Sequence, residues 1–276
     1  MSTNNLQMVV TDLDGTLLSP QHQISEQDLQ SLKMLGKKNV FRVVATGRSL
    51  YSVKRVIQDG FPIDYLIFSS GAGIIDWNTN EIVYSQSLNP AEVVIIANLL
   101  ISRQIDFMIH KPIPENHKFV YSQTRKHNPD FYRRIKLYQQ FAKPLTFEPV
   151  AFGDACQFIA IIPSEVSVYE WIKNELPDFK VIRTTSPLDG NSIWIEIFPE
   201  EVSKGSATEW LCNKLKINQN SVLGIGNDYN DLDLLNWTQH SYVVENAPPD
   251  LKQKFEITES NTNNGFTKAV MTKFSV

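Results

Sequence analysis

The chain has 276 residues, 42% of them hydrophobic and 20% charged, with a formal charge of -4 at pH 7. That is the composition of a globular protein long enough for two ordinary domains and for a core that needs no disulfide staples. The acidic balance argues against nucleic acid as a partner, no apolar run approaches a membrane span, and the polar, uncharged residues 1–7 lack the pattern of a secretion signal, so a cytoplasmic address is expected.

Residues 8–11 are short, apolar and β-branched, which predicts a strand buried on both faces of a parallel sheet. Asp12 stands at its end, Asp14 two positions on, and Gly15 lets the backbone turn sharply. Asp-Gly after a strand is also common turn chemistry, so this stretch alone leaves a site and a turn both open. Ser25 predicts a helix cap, with Ile24 and Leu29 as a staple and Leu32 and Leu35 on the inner face of a helix ending at Gly36. A strand over 40–45 is broken by Thr46-Gly47-Arg48, after which Ser49 opens a helix carrying Val53, Val56 and Ile57 on one face. Residues 65–69 read as a strand and 71–87 as a hairpin turning at Asn78-Thr79-Asn80. The β-α-β-α order favours a parallel sheet.

At Asn89 the pattern restarts. Asn89, Pro90 and Glu92 combine a cap, a first-position proline and a capping box ahead of Val93, Ile96, Ala97 and Leu100. An inserted α/β domain is predicted over 89–198, with strands at 105–109, 117–121, 157–162, 180–184 and 192–198 and helices at 129–142 and 166–176. From 199 the first pattern returns. Ser203 caps a helix with Ala207, Trp210, Leu211 and Leu215 on one face, followed by a strand over 221–226, a helix over 229–236 and a last buried strand over 242–245. Residues 261–265 read as a polar loop. Cys156 and Cys212 stand in apolar patterns outside any C-x-x-C pair, which predicts buried free thiols. His110, His117 and His127 have no ligand spacing and are expected in exposed or hydrogen-bonded loops.

Four polar groups share one address, the end of a strand or the start of the next helix: Asp12 with Asp14, Thr46, Lys204, and the cluster Asn227-Asp228-Tyr229-Asn230-Asp231. If their strands lie side by side, all four converge on one crevice. Carboxylates packed together repel, and a divalent cation relieves that repulsion; all-oxygen ligation without His or Cys suits Mg²⁺. Lys204 and free helix N-termini add positive potential suited to a visiting phosphate. A chemistry follows in which Asp12 attacks phosphorus, Lys204, Thr46 and backbone amides hold the phosphoryl oxygens, and Asp14 protonates the leaving alcohol and then activates water.

Together Asp12-x-Asp14-Gly15-Thr16, Thr46-Gly47-Arg48, Lys204-Gly205 and the stretch from Gly226 to Asp231 resemble the four ordered motifs of the haloacid dehalogenase superfamily. The insertion after the second motif is similar to the large α/β cap of its Cof-type sugar phosphatase branch. The resemblance implies a Rossmann-like core over 1–88 and 199–276 and a cap over 89–198 that closes over small substrates. It implies a Mg²⁺-dependent phosphatase of small phosphorylated metabolites, sugar phosphates foremost, with Asp12 as nucleophile and Asp14 as acid/base. Asp14 would also ligate the metal through its carbonyl, Thr46, Gly47, Lys204 and Asn230 would face the phosphate, and Arg48 would lie near the substrate. The metal set falls on Asp12, Asp14, Asn227, Asp228 and Asp231. Two departures stand out. Where relatives read Gly-Asp-x-x-Asn-Asp this chain has Asn227, so either its carbonyl or the neighbouring Asp228 takes the metal. Ser70 stands where the branch commonly has asparagine. Lys111 and Arg183 are candidate specificity residues in the insertion. A phosphatase dedicated to one glycosyl phosphate, and a phosphate-binding regulatory module without turnover, are the alternatives.

Overall fold

The computed structural model describes residues 6–125, 127–146, 148–163, 165–186 and 188–273; of the stretch read for a secretion signal, residues 1–5 lie outside it. The chain divides into two compact units, one of 1–84 with 203–276 and one of 85–202.

The first unit opens on β1 (Met8–Asp12), buried at every position. Helix α1 (Glu26–Lys37) follows, capped by Ser25, whose Oγ accepts from the Asp28 N–H. Strand β2 (Phe41–Ala45), the single turn α2 (Leu50–Val53), β3 (Tyr65–Phe68), β4 (Gly73–Asp76) and β5 (Glu81–Ser85) come next. The helix predicted after Ser49 stops before Val56 and Ile57. β-Branched side chains lose rotamer freedom in a helix, and Gly60 and Pro62 end the segment soon after.

The second unit holds a six-stranded sheet whose strands lie in the order 179–185, 193–199, 157–162, 107–110, 119–122, 142–144. Its elements are α3 (Pro90–Ser102), β6 (Phe107–His110), β7 (Phe119–Ser122), α4 (Pro129–Leu137), β8 (Ala142–Pro144), β9 (Gln157–Ile162), α5 (Val166–Glu175), β10 (Phe179–Thr185) and β11 (Ile193–Pro199). The Asn89 capping box is present, its Oδ1 accepting from Ala91 and Glu92 while Glu92 accepts from the Asn89 N–H. Alternate strand residues such as Phe107, Ile109, Phe158, Ala160, Ile195 and Ile197 meet Val93, Ile96 and Leu100 of α3 and Ile172 of α5 in one core. The helix expected over 129–142 ends at Leu137, because residues 142–144 pair in parallel with Phe119, Val120 and Tyr121. That pairing is non-local and leaves no local pattern.

The chain returns to the first unit through α6 (Lys204–Leu215), β12 (Val222–Gly226), α7 (Leu232–Trp237), β13 (His240–Val244), α8 (Pro249–Lys252), β14 (Glu256–Thr258) and α9 (Gly265–Met271). The sheet runs β14-β13-β12-β1-β2-β3-β4-β5, parallel from β14 to β3. Thus β13 is not the last strand. β14 has three residues with Ile257 exposed, too short for any periodicity to mark it. Met8, Val10, Val43 and Ile67 pack with Ala207 and Leu211 of α6 and Leu234 of α7. No helix of the described residues is long and apolar enough to cross a membrane.

Candidate active site

In the first unit the strand order reverses at β1: β2 and β3 lie to one side and β12 and β13 to the other. Crevices at such switch points open beyond the carboxyl ends of the strands. Asp12 is the last residue of β1 and is 4% exposed. Ser203, with its Oγ accepting from Ser206 N–H, starts α6 so that Lys204 is the first helical residue. The Lys204 side chain is wholly buried, and its Nζ donates to Asp12 Oδ1 and to Asp231 Oδ1, each at 2.6 Å. Asp231 Oδ2 accepts the N–H groups of Asn227 (2.8 Å) and Asp228 (3.1 Å), which ties the turn after β12 to the lysine. Gly226 permits this, since a Cβ there would lie 2.6 Å from the Asp231 Cγ.

One ammonium between two carboxylates leaves a net negative charge among buried groups. Burial pushes the Asp12 carboxyl up to about 7, against the pull of Lys204 and with Asp231 and Asp14 adding repulsion. Burial penalises the Lys204 ammonium as well, but the charges of Asp12 and Asp231 prevail and raise it, so it stays protonated.

Asp14 lies past the turn and is held by Arg48 through two parallel bonds, Nε to Oδ2 and Nη2 to Oδ1, both 2.6 Å. Such a fork is the strong, directional form of an ion pair. Arg48 also donates from Nη1 to Ser52 Oγ (3.1 Å), and its N–H reaches Thr46 Oγ (3.1 Å), which folds the Thr46-Gly47-Arg48 loop at the end of β2. The carbonyls of Thr46 and Arg48 accept from the N–H groups of Ser70 and Ser69. Ser69 and Ser70 have left-handed φ of 50° and 54°. That conformation favours asparagine over serine, which gives the departure at Ser70 a backbone meaning.

Asn227, at the end of β12, reaches toward both acids of the first strand. The inward atom of its carboxamide lies 3.1 Å from Asp12 Oδ2, 3.2 Å from the Asp14 carbonyl oxygen and 3.2 Å from Thr16 Oγ when that atom is the nitrogen. Gly15, with φ of 78°, is required twice over: a Cβ would stand 2.5 Å from this carboxamide. Asp228 opens the 3-10 turn Tyr229–Asp231, in which Asn230 is half-buried. The structure thus gathers Asp12, Asp14, Lys204, Asn227 and Asp231 directly, and Thr46, Gly47 and Arg48 through Asp14. Lys111, in the other unit, is exposed beside Glu115, and Arg183 is half-buried on β10.

Two residues escaped sequence reasoning. Asn246, after β13, donates to the Gly15 carbonyl (2.8 Å) and accepts from Asn261 N–H, while Asn261 donates to the Leu18 carbonyl (2.8 Å). They brace the loop that carries Asp14. Asn246 shares the strand-end address of the other groups, which was a usable signal; Asn261, in the polar run 261–265, had none.

The oxygens of Asp12, Asp14 and Asn227 form a hard-donor cradle suited to Mg²⁺ rather than zinc. Its carboxylate count is low, and among the described residues no three His, Cys, Asp or Glu side chains gather as a metal site. The residues fit the ion with Asp12 as the one carboxylate of the set, since Asp14 would offer its carbonyl and Asn227 its neutral amide oxygen.

A strand-end aspartate and a buried lysine from a distant helix stand together at the switch point of a parallel sheet in an α/β core. The chain belongs to the haloacid dehalogenase-like hydrolase family, whose model matches residues 9–270. It is an enzyme of that family, a phosphatase. Among its relatives is the 5-amino-6-(5-phospho-D-ribitylamino)uracil phosphatase YwtE of Bacillus subtilis (strain 168), 26% identical over 279 residues that cover 94% of this chain and 95% of the relative. Two solved structures share the fold. The HAD subclass IIB sugar phosphatase BT4131 has a TM-score of 0.77 at 18% identity, covering 96% of this chain and 98% of the other. BT1666 from Bacteroides thetaiotaomicron has a TM-score of 0.81 at 16% identity, covering 100% and 97%.

Proposed function

We propose that the chain hydrolyses phosphomonoesters of small metabolites, sugar phosphates foremost, through an aspartyl-phosphate on Asp12. The observation that carries this reading is the buried Lys204 bonded to Asp12 Oδ1 at 2.6 Å, which fixes one carboxylate oxygen and orients the other. In the first half-reaction an Asp12 oxygen bonds to phosphorus as the ester P–O bond breaks, and the leaving oxygen takes its proton from Asp14. In the second, Asp14 removes a proton from water as that water attacks phosphorus and frees Asp12. Both Asp14 oxygens are held by Arg48 here, so proton transfer requires Arg48 to release at least one of them. Lys204, the Thr46 hydroxyl and the Gly47 N–H hold the phosphoryl oxygens, with Asn230 beside them; the Thr46 and Arg48 N–H groups are engaged on the Ile67 carbonyl and on Thr46 Oγ. Mg²⁺, when held by Asp12, the Asp14 carbonyl and Asn227, supplies charge neutralisation at the phosphoryl group. Asp231, with both oxygens engaged, serves to position Lys204, and Asp228 to start its turn.

The inserted unit is read as the cap that selects the metabolite. YwtE and BT4131 are named for different phosphate esters, which supports a small phosphorylated metabolite as substrate without choosing between them. Hydrolysis of p-nitrophenyl phosphate with and without Mg²⁺ tests this reading. Metal-dependent turnover should fall about 10⁴-fold or more in Asp12→Asn. A wild-type rate no higher than that of the variant defeats the enzymatic reading.

A further inference from the structure

The Asn227 carboxamide can present either of two atoms to the same place, related by half a turn about Cβ–Cγ, and which one faces inward is assigned by its partners. With oxygen inward it accepts from Thr16 Oγ at 3.2 Å but also stands against two other acceptors, Asp12 Oδ2 and the Asp14 carbonyl. With nitrogen inward it donates to both of those oxygens, at 3.1 and 3.2 Å, and meets Thr16 Oγ at 3.2 Å. An amide NH₂ carries two protons, enough for the pair. An aspartate at this position could do neither, since it has no donor. Both of these oxygens belong to the donor set described above that would hold a divalent cation.

We propose that Asn227 is an amide latch on the cation site. Nitrogen-inward, it stands in for the ion by joining Asp12 Oδ2 to the Asp14 carbonyl; oxygen-inward, it becomes a ligand, and a hard cation enters only in that state. Two consequences follow. The metal-free site is internally satisfied, so the chain tolerates loss of its ion. Mg²⁺ binds more weakly than to a carboxylate at the same position, because the latch must open first and because the ligand set carries one charge fewer. The proposal rests on the phosphatase reading of this site, but its test needs no turnover.

The test compares wild type with Asn227→Asp, following Mg²⁺ binding by calorimetry and thermal unfolding in EDTA and in Mg²⁺. Asn227→Asp should bind Mg²⁺ at least about tenfold tighter. In EDTA it should melt below wild type, since a third carboxylate then faces Asp12 without a counter-charge. Should that variant fail to fold, the wild-type chain still carries the test through its Asn227 side-chain NH₂ resonances. These should be protected from solvent exchange in EDTA and lose that protection on saturation with Mg²⁺. Equal Mg²⁺ affinity and equal stability in EDTA for the two chains, or an NH₂ signal indifferent to Mg²⁺, overturns the latch. Failure of p-nitrophenyl phosphate turnover with this binding pattern intact would overturn the phosphatase reading instead and leave the latch standing.

Discussion

Each unit buries an aspartate beside a sheet, and the partners of the two differ in kind. Asp106, just before β6, is fully buried: Oδ1 accepts from Thr124 N–H (2.7 Å), Thr124 Oγ (3.3 Å) and Arg125 N–H (3.0 Å), and Oδ2 from Asn128 Nδ2 (2.9 Å). All are neutral donors from one nearby loop, which Asp106 thereby shapes into the approach to α4. Asp12 has a buried cation from a helix 192 residues away on one oxygen and a single amide facing the other. A carboxylate whose lone pairs are filled by local dipoles is a strut. One held by a distant charge, with an oxygen left to an exchangeable partner, is poised to react.

The widest break in this comparison should come from Lys204→Met. Removing the ammonium leaves Asp12 and Asp231 buried without a counter-charge, a loss of about 3–5 kcal/mol in urea unfolding, together with loss of turnover. Asp106→Ala should cost less, about 3 kcal/mol at most, from N–H groups left without an acceptor. Its turnover per folded molecule should stay at the wild-type level; a parallel loss of kcat would erase the distinction between strut and site.

A third measurement sharpens the contrast through pH. In the inserted unit His110 is buried with Nδ1 2.7 Å from the Asn116 carbonyl. Burial, then the charge of Arg134, push it down to about 3 against the pull of that hydrogen bond. The folded chain therefore keeps His110 neutral while the unfolded chain protonates it near its ordinary value of about 6.5. Stability from this group is fully present above about pH 6.5 and is lost as pH falls toward 3, by about 1.4 kcal/mol per pH unit. His110→Gln should flatten that slope, and an unchanged slope in urea titrations would show that another group sets it. The histidine was expected in a loop, but it sits on β6, where its neighbours Met108 and Ile109 are equally buried.

Local signals located most elements because they express near-neighbour chemistry. Caps at Ser25, Asn89 and Ser203 bond to N–H groups within three residues, and the β-branched run before Asp12 is a buried strand whichever strands flank it. Elements defined by distant pairing were missed: β8 exists through β7, and β14 through β13. Helix α9, where Thr267 donates to Asp28 of α1 at 2.7 Å, likewise depends on a partner more than two hundred residues away.

The candidate site divides along the same line. The sequence by itself determined that acids, a threonine, a lysine and an acidic cluster sit at strand ends in the order of one hydrolase family, because motif spacing and cap chemistry are local. Only the tertiary structure decided what each group touches: that Lys204 serves Asp12 and Asp231 together, that Arg48 clamps Asp14, and that Asn227 faces the oxygens of both strand-end acids. Those facts depend on β12 lying beside β1 and on α6 starting behind them, and no residue records in its own neighbourhood which distant strand will become its neighbour.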